Sequence, residues 1–357
     1  MHPPPSAPDS LPGGGTHPAP RIRGGFLLAT CQGGAEAAVC ERQQAVVPQA
    51  SKAAWRRGVV TFKLTDFDPP DDFFPDLVYA RALIRSLGQV AAPSQPEQVT
   101  ALRELVAHSQ WDNVHVWCRD PRAEADPVAV RGALLAAHEL PVALPPTAAP
   151  GDLVLDCVID TPERWWVGWH RAGTPASRHA GGMHPVALAT DKVSRAWLKL
   201  DEAIETFAIP LARGQRAIEL GCAPGGACQR LLEAGLDVVG VDPAVVDPRV
   251  AAHPRFTQWR MRAREVKLRD FRGCDWIVAD MNIDPKSALE SIGRAVTAPG
   301  VRPAGVIATL KLPDWSRAAE LPGWLELFEA WGFTPRARQL STGGREVCVV
   351  AVRQRRR

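Results

Sequence analysis

The sequence lacks three patterns that would point to particular cellular settings. Its eight cysteines form no C-x-x-C pair, and several of them, such as Cys118 and Cys348, lie within apolar runs. We therefore expect reduced, buried thiols, as in a cytosolic protein. No apolar run approaches about 18 residues, so no transmembrane helix is expected. The first residues lack the basic start and apolar core of a signal peptide, and together these absences predict a cytoplasmic protein without a membrane partner.

The sequence also has little excess charge of either sign. Its 42 lysines and arginines nearly balance 39 aspartates and glutamates, for a net charge of +3 at pH 7. This balance permits nucleic-acid binding but does not argue for it, because a local basic patch would be needed. The hydrophobic content of 46% is ordinary for a globular protein. A chain of 357 residues is long enough for two or three domains.

The N-terminal half divides into a tail and two mixed segments. Residues 1–25 are rich in proline, glycine and serine, which predicts a disordered tail. Strand and helix patterns over residues 26–80 predict a small α+β subdomain of the ferredoxin-like kind. Residues 81–172 form a second segment, in which the strands predicted at 153–159 and 165–169 should pair around a short turn.

The C-terminal half alternates strands and helices from residue 215 onward. Such alternation implies crossover connections and a mostly parallel sheet. The last two predicted strands, 335–340 and 345–352, are joined by a short glycine-containing turn, so they should pair antiparallel at one edge. Residues 173–357 are therefore predicted to form a doubly wound, Rossmann-like α/β domain.

A glycine-rich turn and a later acid predict a nucleoside site in this domain. The turn follows an apolar strand and opens a helix, so a ligand can approach its backbone closely. The acid, about 20 residues on, is placed to bind ribose hydroxyls. The turn is not the G-x-G-x-x-G of nicotinamide dehydrogenases; its pattern, E-x-G-x-x-P-G-G, resembles the S-adenosylmethionine (SAM) loop of Rossmann-like methyltransferases. The candidate cofactor residues are Glu219, Gly221, Cys222, Ala223, Pro224, Gly225, Gly226 and Asp242.

Four ionisable residues lie near the ends of apolar segments. Asp280 and Lys311 each end a predicted strand, Glu346 opens the last strand, and Lys199 lies on the helix before the sheet. Ligand chemistry in an open α/β sheet occurs outside the carboxyl ends of its strands. For each residue taken alone, an equally good explanation is that it only terminates an apolar strand and has no catalytic role.

These residues lie in local motifs that resemble the FtsJ/RrmJ-type 2′-O-ribose RNA methyltransferases. The motifs are SRAWLKLDE, ELGCAPGG, ADM, KLP and REV, in that order along the chain. The resemblance implies a Lys-Asp-Lys-Glu catalytic tetrad at Lys199, Asp280, Lys311 and Glu346, with Asp280 also at the cofactor. It leaves open whether Lys311 acts as a neutral base or as a charged group that stabilises the developing alkoxide. Glu219 either binds the methionine amine of SAM or is only a charged residue at the end of a strand, without a role in binding.

The upstream half is similar, in order and pattern, to the RlmM branch of this family, which carries an N-terminal THUMP RNA-binding region. That resemblance implies a THUMP-like role for residues 81–172. It further implies a cytidine in 23S rRNA, free or within a large-subunit assembly precursor, as the target. A monomer is expected. Two alternatives remain: methylation of another RNA such as tRNA, or a non-catalytic RNA-binding scaffold.

Several details stay open at this level. The third strand is followed by an arginine-rich stretch, residues 260–267, instead of the acid that the family often uses near adenine, and Glu265 is a candidate substitute. Three tryptophans are interpreted mainly as core residues, with base stacking as the alternative: Trp165, Trp166 and Trp169. His179 and His184 are too few to predict a metal site, so no metal is assigned.

Overall fold

The computed structural model describes residues 17–20, 24–120 and 122–353. Most of the predicted disordered tail, residues 1–16 and 21–23, lies outside the described residues. The chain divides into two compact units, Met1–Met183 and His184–Arg357. No helix in the described ranges is long and apolar enough to cross a membrane. The eight cysteines are free thiols, six of them buried.

The N-terminal unit is built on one seven-stranded sheet. Its strand order is β2-β3-β1-β4-β7-β6-β5, and only the β5–β6 pair is parallel. The segments 26–80 and 81–172, which the sequence predicts as separate subdomains, both contribute strands to it. The elements are β1 (Phe26–Cys31), α1 (Glu36–Val46), β2 (Ala50–Arg56), β3 (Val59–Leu64), β4 (Ala80–Ala91), α2 (Gln95–Leu105), β5 (Asn113–Cys118), α3 (Pro127–Ala137), β6 (Leu153–Thr161) and β7 (Arg164–Arg171).

The strands β6 and β7 pair antiparallel, as predicted, and carry the three tryptophans into the interior. Trp165 and Trp169 pack in the cluster that contains residues of α2 and α3. Trp166 points to the opposite face and packs against Leu28 and Ile84. Because both faces of the sheet are covered here, adjacent as well as alternate positions are buried. These tryptophans are core residues, so the alternative of base stacking is wrong.

The C-terminal unit contains a second seven-stranded sheet with the order β10-β9-β8-β11-β12-β14-β13. Its first five strands are parallel, and β14 is antiparallel to both β12 and β13. The predicted Rossmann-like fold and the antiparallel last pair are confirmed. The elements are α4 (Arg195–Phe207), β8 (Arg216–Leu220), α5 (Gly226–Glu233), β9 (Asp237–Val241), α6 (Pro248–Ala251), β10 (Phe256–Trp259), β11 (Trp276–Ala279), α7 (Pro285–Val296), β12 (Gly305–Lys311), α8 (Leu321–Ala330), β13 (Phe333–Arg338) and β14 (Glu346–Arg353).

The strand order fixes where a ligand can bind. After β8 the chain adds β9 and β10 on one side, then crosses back to add β11 and β12 on the other. The loops that leave β8 and β11 therefore diverge at their carboxyl ends, which is the usual ligand crevice of an open α/β sheet. The glycine-rich turn and Asp280 both lie at this crevice.

Candidate active site

The turn between β8 and α5 needs glycine at its first position. Gly221 has φ +83°, and a Cβ there would lie 2.7 Å from Met281 Cγ and 3.1 Å from the carbonyl oxygen of Asp280. The turn is also tied to the next strand, because the amide of Ala223 donates to Asp242 Oδ2 over 3.2 Å. The other oxygen, Oδ1, accepts the amide of Ala244 at 2.8 Å. Asp242 therefore holds the turn in place as well as facing the crevice.

A cavity of about 720 Å³ opens beside this turn. Its volume lies within the range typical of small-molecule and cofactor sites. Of the predicted cofactor residues, four line it: Gly221, Ala223, Asp242 and Asp280. The other five lie outside the lining: Glu219, Cys222, Pro224, Gly225 and Gly226.

Most of the other lining residues come from two loops and from helix α7, and none of them is among the predicted cofactor residues. Arg262 and Ala263 follow β10, Asn282 follows β11, and Ser287 and Arg294 lie on α7. The rule that ligands bind at the carboxyl ends of strands would have drawn attention to the loops after β10 and β11.

The acid Glu265, suggested as a substitute near adenine, is not part of the lining. Its Oε2 instead accepts the amide of Arg262 at 2.9 Å and so closes its own short turn. The arginine-rich stretch thus faces the cavity through Arg262 and Arg264.

Glu219 lies on β8 underneath the turn and is 1% exposed. Burial raises the pKa of its carboxyl to about 8, against the opposing effect of hydrogen bonding from Cys228. Its Oε2 has no hydrogen-bond partner among the described residues. The structure therefore holds a buried acid, neutral near pH 7, directly below the candidate cofactor turn.

The four residues of the predicted tetrad lie together in a closed ring of ion pairs. Lys311 Nζ lies 2.8 Å from Asp280 Oδ1 and 2.6 Å from Glu346 Oε2. Lys199 Nζ lies 3.3 Å from Glu346 Oε1 and is hydrogen-bonded to Asp280 Oδ2. Each lysine thus contacts both carboxylates, and each carboxylate contacts both lysines. Asp280 also lines the cavity, so it joins the ring to the candidate cofactor site.

Three neighbouring strands place three members of the ring. Asp280 follows β11, Lys311 ends β12, and Glu346 begins β14 directly opposite Lys311 in the antiparallel register. The parallel pairing of β11 with β12 brings their carboxyl ends to the same edge. The insertion of β14 next to β12 then adds the second acid to that edge.

The helix α4 supplies the remaining lysine and is anchored at several points. It begins at the cap Ser194, whose side chain accepts the amide of Ala196. One turn beyond Lys199, the buried carboxylate of Glu202 accepts the amides of Ser341 and Thr342 at 2.7 and 2.8 Å. Those two residues belong to the loop that leads to Glu346, so a single helix fixes both sides of the ring.

The charges of the ring shift the pKa values of Lys311 and Asp280. Burial alone lowers the pKa of Lys311, but the carboxylates of Asp280 and Glu346 raise it more, so its pKa lies above the ordinary value. Burial raises the pKa of Asp280, but the ammonium groups of Lys199 and Lys311 lower it more, so it lies below the ordinary value. Lys311 is therefore a cation, and Asp280 an anion, at neutral pH.

Residues 192–350 match the model of the family described as FtsJ-like methyltransferase, so the C-terminal unit carries an FtsJ-like methyltransferase domain. The chain is similar to proteins named ribosomal RNA large subunit methyltransferase M. The one from Xylella fastidiosa is 33% identical over 179 residues, 48% of this chain and 50% of its own length. The one from Laribacter hongkongensis is 32% identical over 184 residues, 48% of this chain and 51% of its own length.

The chain thus spans about half the length of the curated relatives it matches. Among solved structures, it is similar to the fibrillarin pre-rRNA processing protein of Methanococcus jannaschii. That similarity has a TM-score of 0.37 and 14% identity, and it covers 54% of this chain and 80% of the other.

Proposed function

We propose that the protein transfers a methyl group from SAM to a ribose 2′-hydroxyl of RNA, and that its target is a cytidine in 23S rRNA. The observation that carries the proposal is Asp280, which lies both in the tetrad ring and in the lining of the nucleoside-sized cavity. A cofactor in the cavity and a hydroxyl at the ring would meet at this residue.

The cavity fits a nucleoside cofactor by its shape and by its donors. Gly221 leaves the space that a Cβ would fill, and Asp242 offers carboxylate oxygens at the place where ribose hydroxyls bind in this fold. The sulfonium of SAM supplies a methyl group that is already activated. SAM binding is thus a function that this site shares with other methyltransferases, and it does not determine the substrate.

The tetrad acts on the ribose hydroxyl that accepts the methyl group. Its lysines bind the ribose oxygen and align it for in-line attack. As the hydroxyl proton is lost to solvent, the Lys311 ammonium stabilises the developing alkoxide. Asp280 and Glu346 hold the two lysines in position and keep Lys311 charged. The raised pKa of Lys311 supports the polarising role over that of a neutral base.

RNA as the substrate rests on the names of the relatives that match the C-terminal half, ribosomal RNA large subunit methyltransferase M. The N-terminal unit would then bind the RNA, in the manner of a THUMP region. Location in the cytoplasm and action as a monomer are part of the same proposal. A related enzyme acting on tRNA and a catalytically inactive scaffold are the alternatives.

The proposal is tested by mapping ribose 2′-O-methyl groups in rRNA and tRNA from a strain that lacks the gene and from the same strain complemented with it. We expect one cytidine of 23S rRNA to lose its methyl group and to regain it on complementation. An unchanged rRNA map with a lost tRNA methyl group would select the first alternative. Absence of any SAM binding by calorimetry on the purified chain would select the scaffold.

A further inference from the structure

Two histidines and an aspartate are buried together on the sheet of the N-terminal unit. His115, Asp156 and His170 lie on the adjacent strands β5, β6 and β7, and His115 is the register partner of Asp156. One ligand atom from each lies within 4.8 Å of the other two. The side chains of His115 and Asp156 are each 1% exposed, and that of His170 is 11% exposed.

Several polar atoms of this cluster are unsatisfied. Oδ1 of Asp156 has no hydrogen-bond partner within the described ranges, and the His115 ring has only a contact with the backbone of Pro146 that falls short of a normal hydrogen bond. His115 Nδ1 and Asp156 Oδ1 instead face each other over 4.0 Å, which is too long for a hydrogen bond. Unpaired polar atoms inside a protein are costly, so such a group calls for a missing occupant.

The third member is already oriented as a metal ligand would be. His170 Nε2 lies 2.7 Å from the carbonyl oxygen of Ser177, so it carries the proton and donates to it. Nδ1 is hydrogen-bonded to Asp156 Oδ2 over 2.5 Å, so the proton shared by these two atoms would leave when a cation binds. Metal-binding histidines usually donate their other ring N–H to a carbonyl or carboxylate in this way, which fixes the tautomer.

We propose that His115, Asp156 and His170 bind a divalent zinc-like cation that has a structural role. Two imidazoles and one carboxylate form a common ligand set for Zn²⁺. A tetrahedral ion would hold its ligand atoms about 3.3 Å apart. The 4.0 Å pair would therefore close and the 2.5 Å pair would open, and the cation would replace the proton between His170 and Asp156.

Room for a fourth ligand lies next to the cluster. A cavity of about 10 Å³ is lined by Asp156, His170, Ser177 and His179. This volume is close to that of a single water molecule. The segment around it, residues 176–182, covers this face of the sheet, with Gly181 against the ring of Trp117. The ion would thus fasten the segment to strands β5, β6 and β7.

The test uses the full chain, purified without a histidine tag and depleted of metal by a chelator. Co²⁺ serves as the spectroscopic probe, because histidine-ligated tetrahedral Co²⁺ absorbs visible light. We expect about one Co²⁺ per chain, displaced by Zn²⁺, and a rise in the melting temperature when Zn²⁺ is added. Metal analysis of the chain as purified should show the same stoichiometry.

Asp156→Asn and His115→Gln should weaken Co²⁺ binding by about 100-fold or more, since loss of a mere supporting group already costs 10- to 100-fold. His138→Gln, in the same unit but outside the cluster, should bind Co²⁺ as the wild type does. A folded wild-type chain that gives no Co²⁺ spectrum would overturn the proposal, and so would Asp156→Asn binding as tightly as the wild type. Should the variants fail to fold, as judged by circular dichroism, the wild-type titration alone decides.

Discussion

Lys311 and Glu346 face each other across the antiparallel strands β12 and β14, with Lys311 Nζ 2.6 Å from Glu346 Oε2. The same ammonium lies 2.8 Å from Asp280 Oδ1. Lys311 is thus held between two carboxylates that come from different strands. The reaction proposed above places the attacking oxygen at this point, so the charge of Lys311 should matter for the chemical step and little for cofactor binding.

The first prediction concerns removal of that charge. Lys311→Ala should lower the rate of methyl transfer by roughly 100- to 10,000-fold, the usual range for loss of a positioned acid, base or oxyanion donor. SAM should still bind, because Lys311 does not line the cavity. Single-turnover rates with rRNA and calorimetry with SAM measure the two effects.

Lys286→Ala is the matched control, since Lys286 is an exposed lysine of the same unit outside the ring. It should leave the rate unchanged. Retained activity of the purified Lys311→Ala variant would refute the tetrad assignment.

The second prediction tests how the ring is positioned. The carboxylate of Glu202 accepts two backbone amides of the loop before Glu346, and also the hydroxyl of Thr342 at 2.7 Å. Glu202→Gln replaces one acceptor oxygen by an NH2 group, so at least one of these donors loses its acceptor, which costs about 1–3 kcal/mol. We expect the free energy of unfolding to fall by that amount and kcat to fall by about 10-fold.

KM for SAM should stay near its wild-type value, because Glu202 does not line the cavity. Glu329→Gln, at an exposed glutamate of α8, serves as the control. If Glu202→Gln lost stability but kept its full kcat, the residue would be structural only, and the link to Glu346 would be disproved.

The membership of the ring could be predicted from local motifs, but its geometry could not. Lys199, Asp280, Lys311 and Glu346 each lie in a short pattern that resembles the family, so their identity required no knowledge of the fold. The contact between Lys311 and Glu346 depends on β14 inserting between β12 and β13. That insertion is a long-range choice of partner, and the alternation of residues within β14 does not encode it.

The elements that sequence reasoning missed have weak local signals. Strand β2 buries only Ala50 of its seven residues and lies at the edge of its sheet. It therefore shows no alternation of apolar and polar residues. The cluster of His115, Asp156 and His170 was also missed, because its members lie far apart in the sequence. Only the pairing of β5, β6 and β7 brings them together.

The third prediction distinguishes two effects of adding a Cβ in the cofactor turn, the backbone strain of a positive φ and the steric clash with neighbouring atoms. Gly221 and Gly214 have nearly the same backbone angle, φ +83° and +81°. A Cβ at Gly221 would meet Met281 and the carbonyl of Asp280, whereas one at Gly214 meets nothing within 4 Å. Gly214→Ala should therefore cost only the strain of a left-handed alanine, about 1–2 kcal/mol in the free energy of unfolding.

Gly221→Ala should carry the same strain and, in addition, weaken SAM binding by about 10-fold or more, because the new Cβ would displace Met281, which already lines the cavity. Chemical denaturation and SAM calorimetry on both variants give the comparison. Equal SAM affinity in the two variants would show that the turn does not approach the cofactor.

The fourth prediction follows from the buried acid below the turn. Burial raises the pKa of Glu219 to about 8, whereas an exposed glutamate titrates near 4.3. The folded state therefore favours the protonated form. Its contribution to stability is fully present below about pH 4.3 and is lost as the pH rises towards 8. Glu219→Gln, which cannot ionise, should remove this loss.

We expect the free energy of unfolding of Glu219→Gln to exceed that of the wild type by up to a few kcal/mol at about pH 8, with a smaller difference at about pH 5. Urea denaturation at both pH values measures it. Glu326→Gln, an exposed glutamate of α8, should show no such pH-dependent gain. A gain independent of pH would mean that packing, not ionisation, explains the effect of Glu219→Gln.

The last prediction distinguishes the two roles that a lysine can play in this reaction. The carboxylates of Asp280 and Glu346 raise the pKa of Lys311 above its ordinary value despite the opposing effect of burial. A raised pKa means that the ammonium persists throughout the neutral range and is lost only at high pH. If the ammonium stabilises the alkoxide, the single-turnover rate should not vary with Lys311 ionisation between about pH 7 and 9. If the neutral amine were the proton acceptor, the rate would instead rise about 10-fold per pH unit, in step with the deprotonated fraction.

The variant Glu346→Gln gives a second comparison, because loss of one carboxylate lowers the pKa of Lys311. That variant should be slower at every pH if the charge is required, and faster near pH 7 if the neutral amine is.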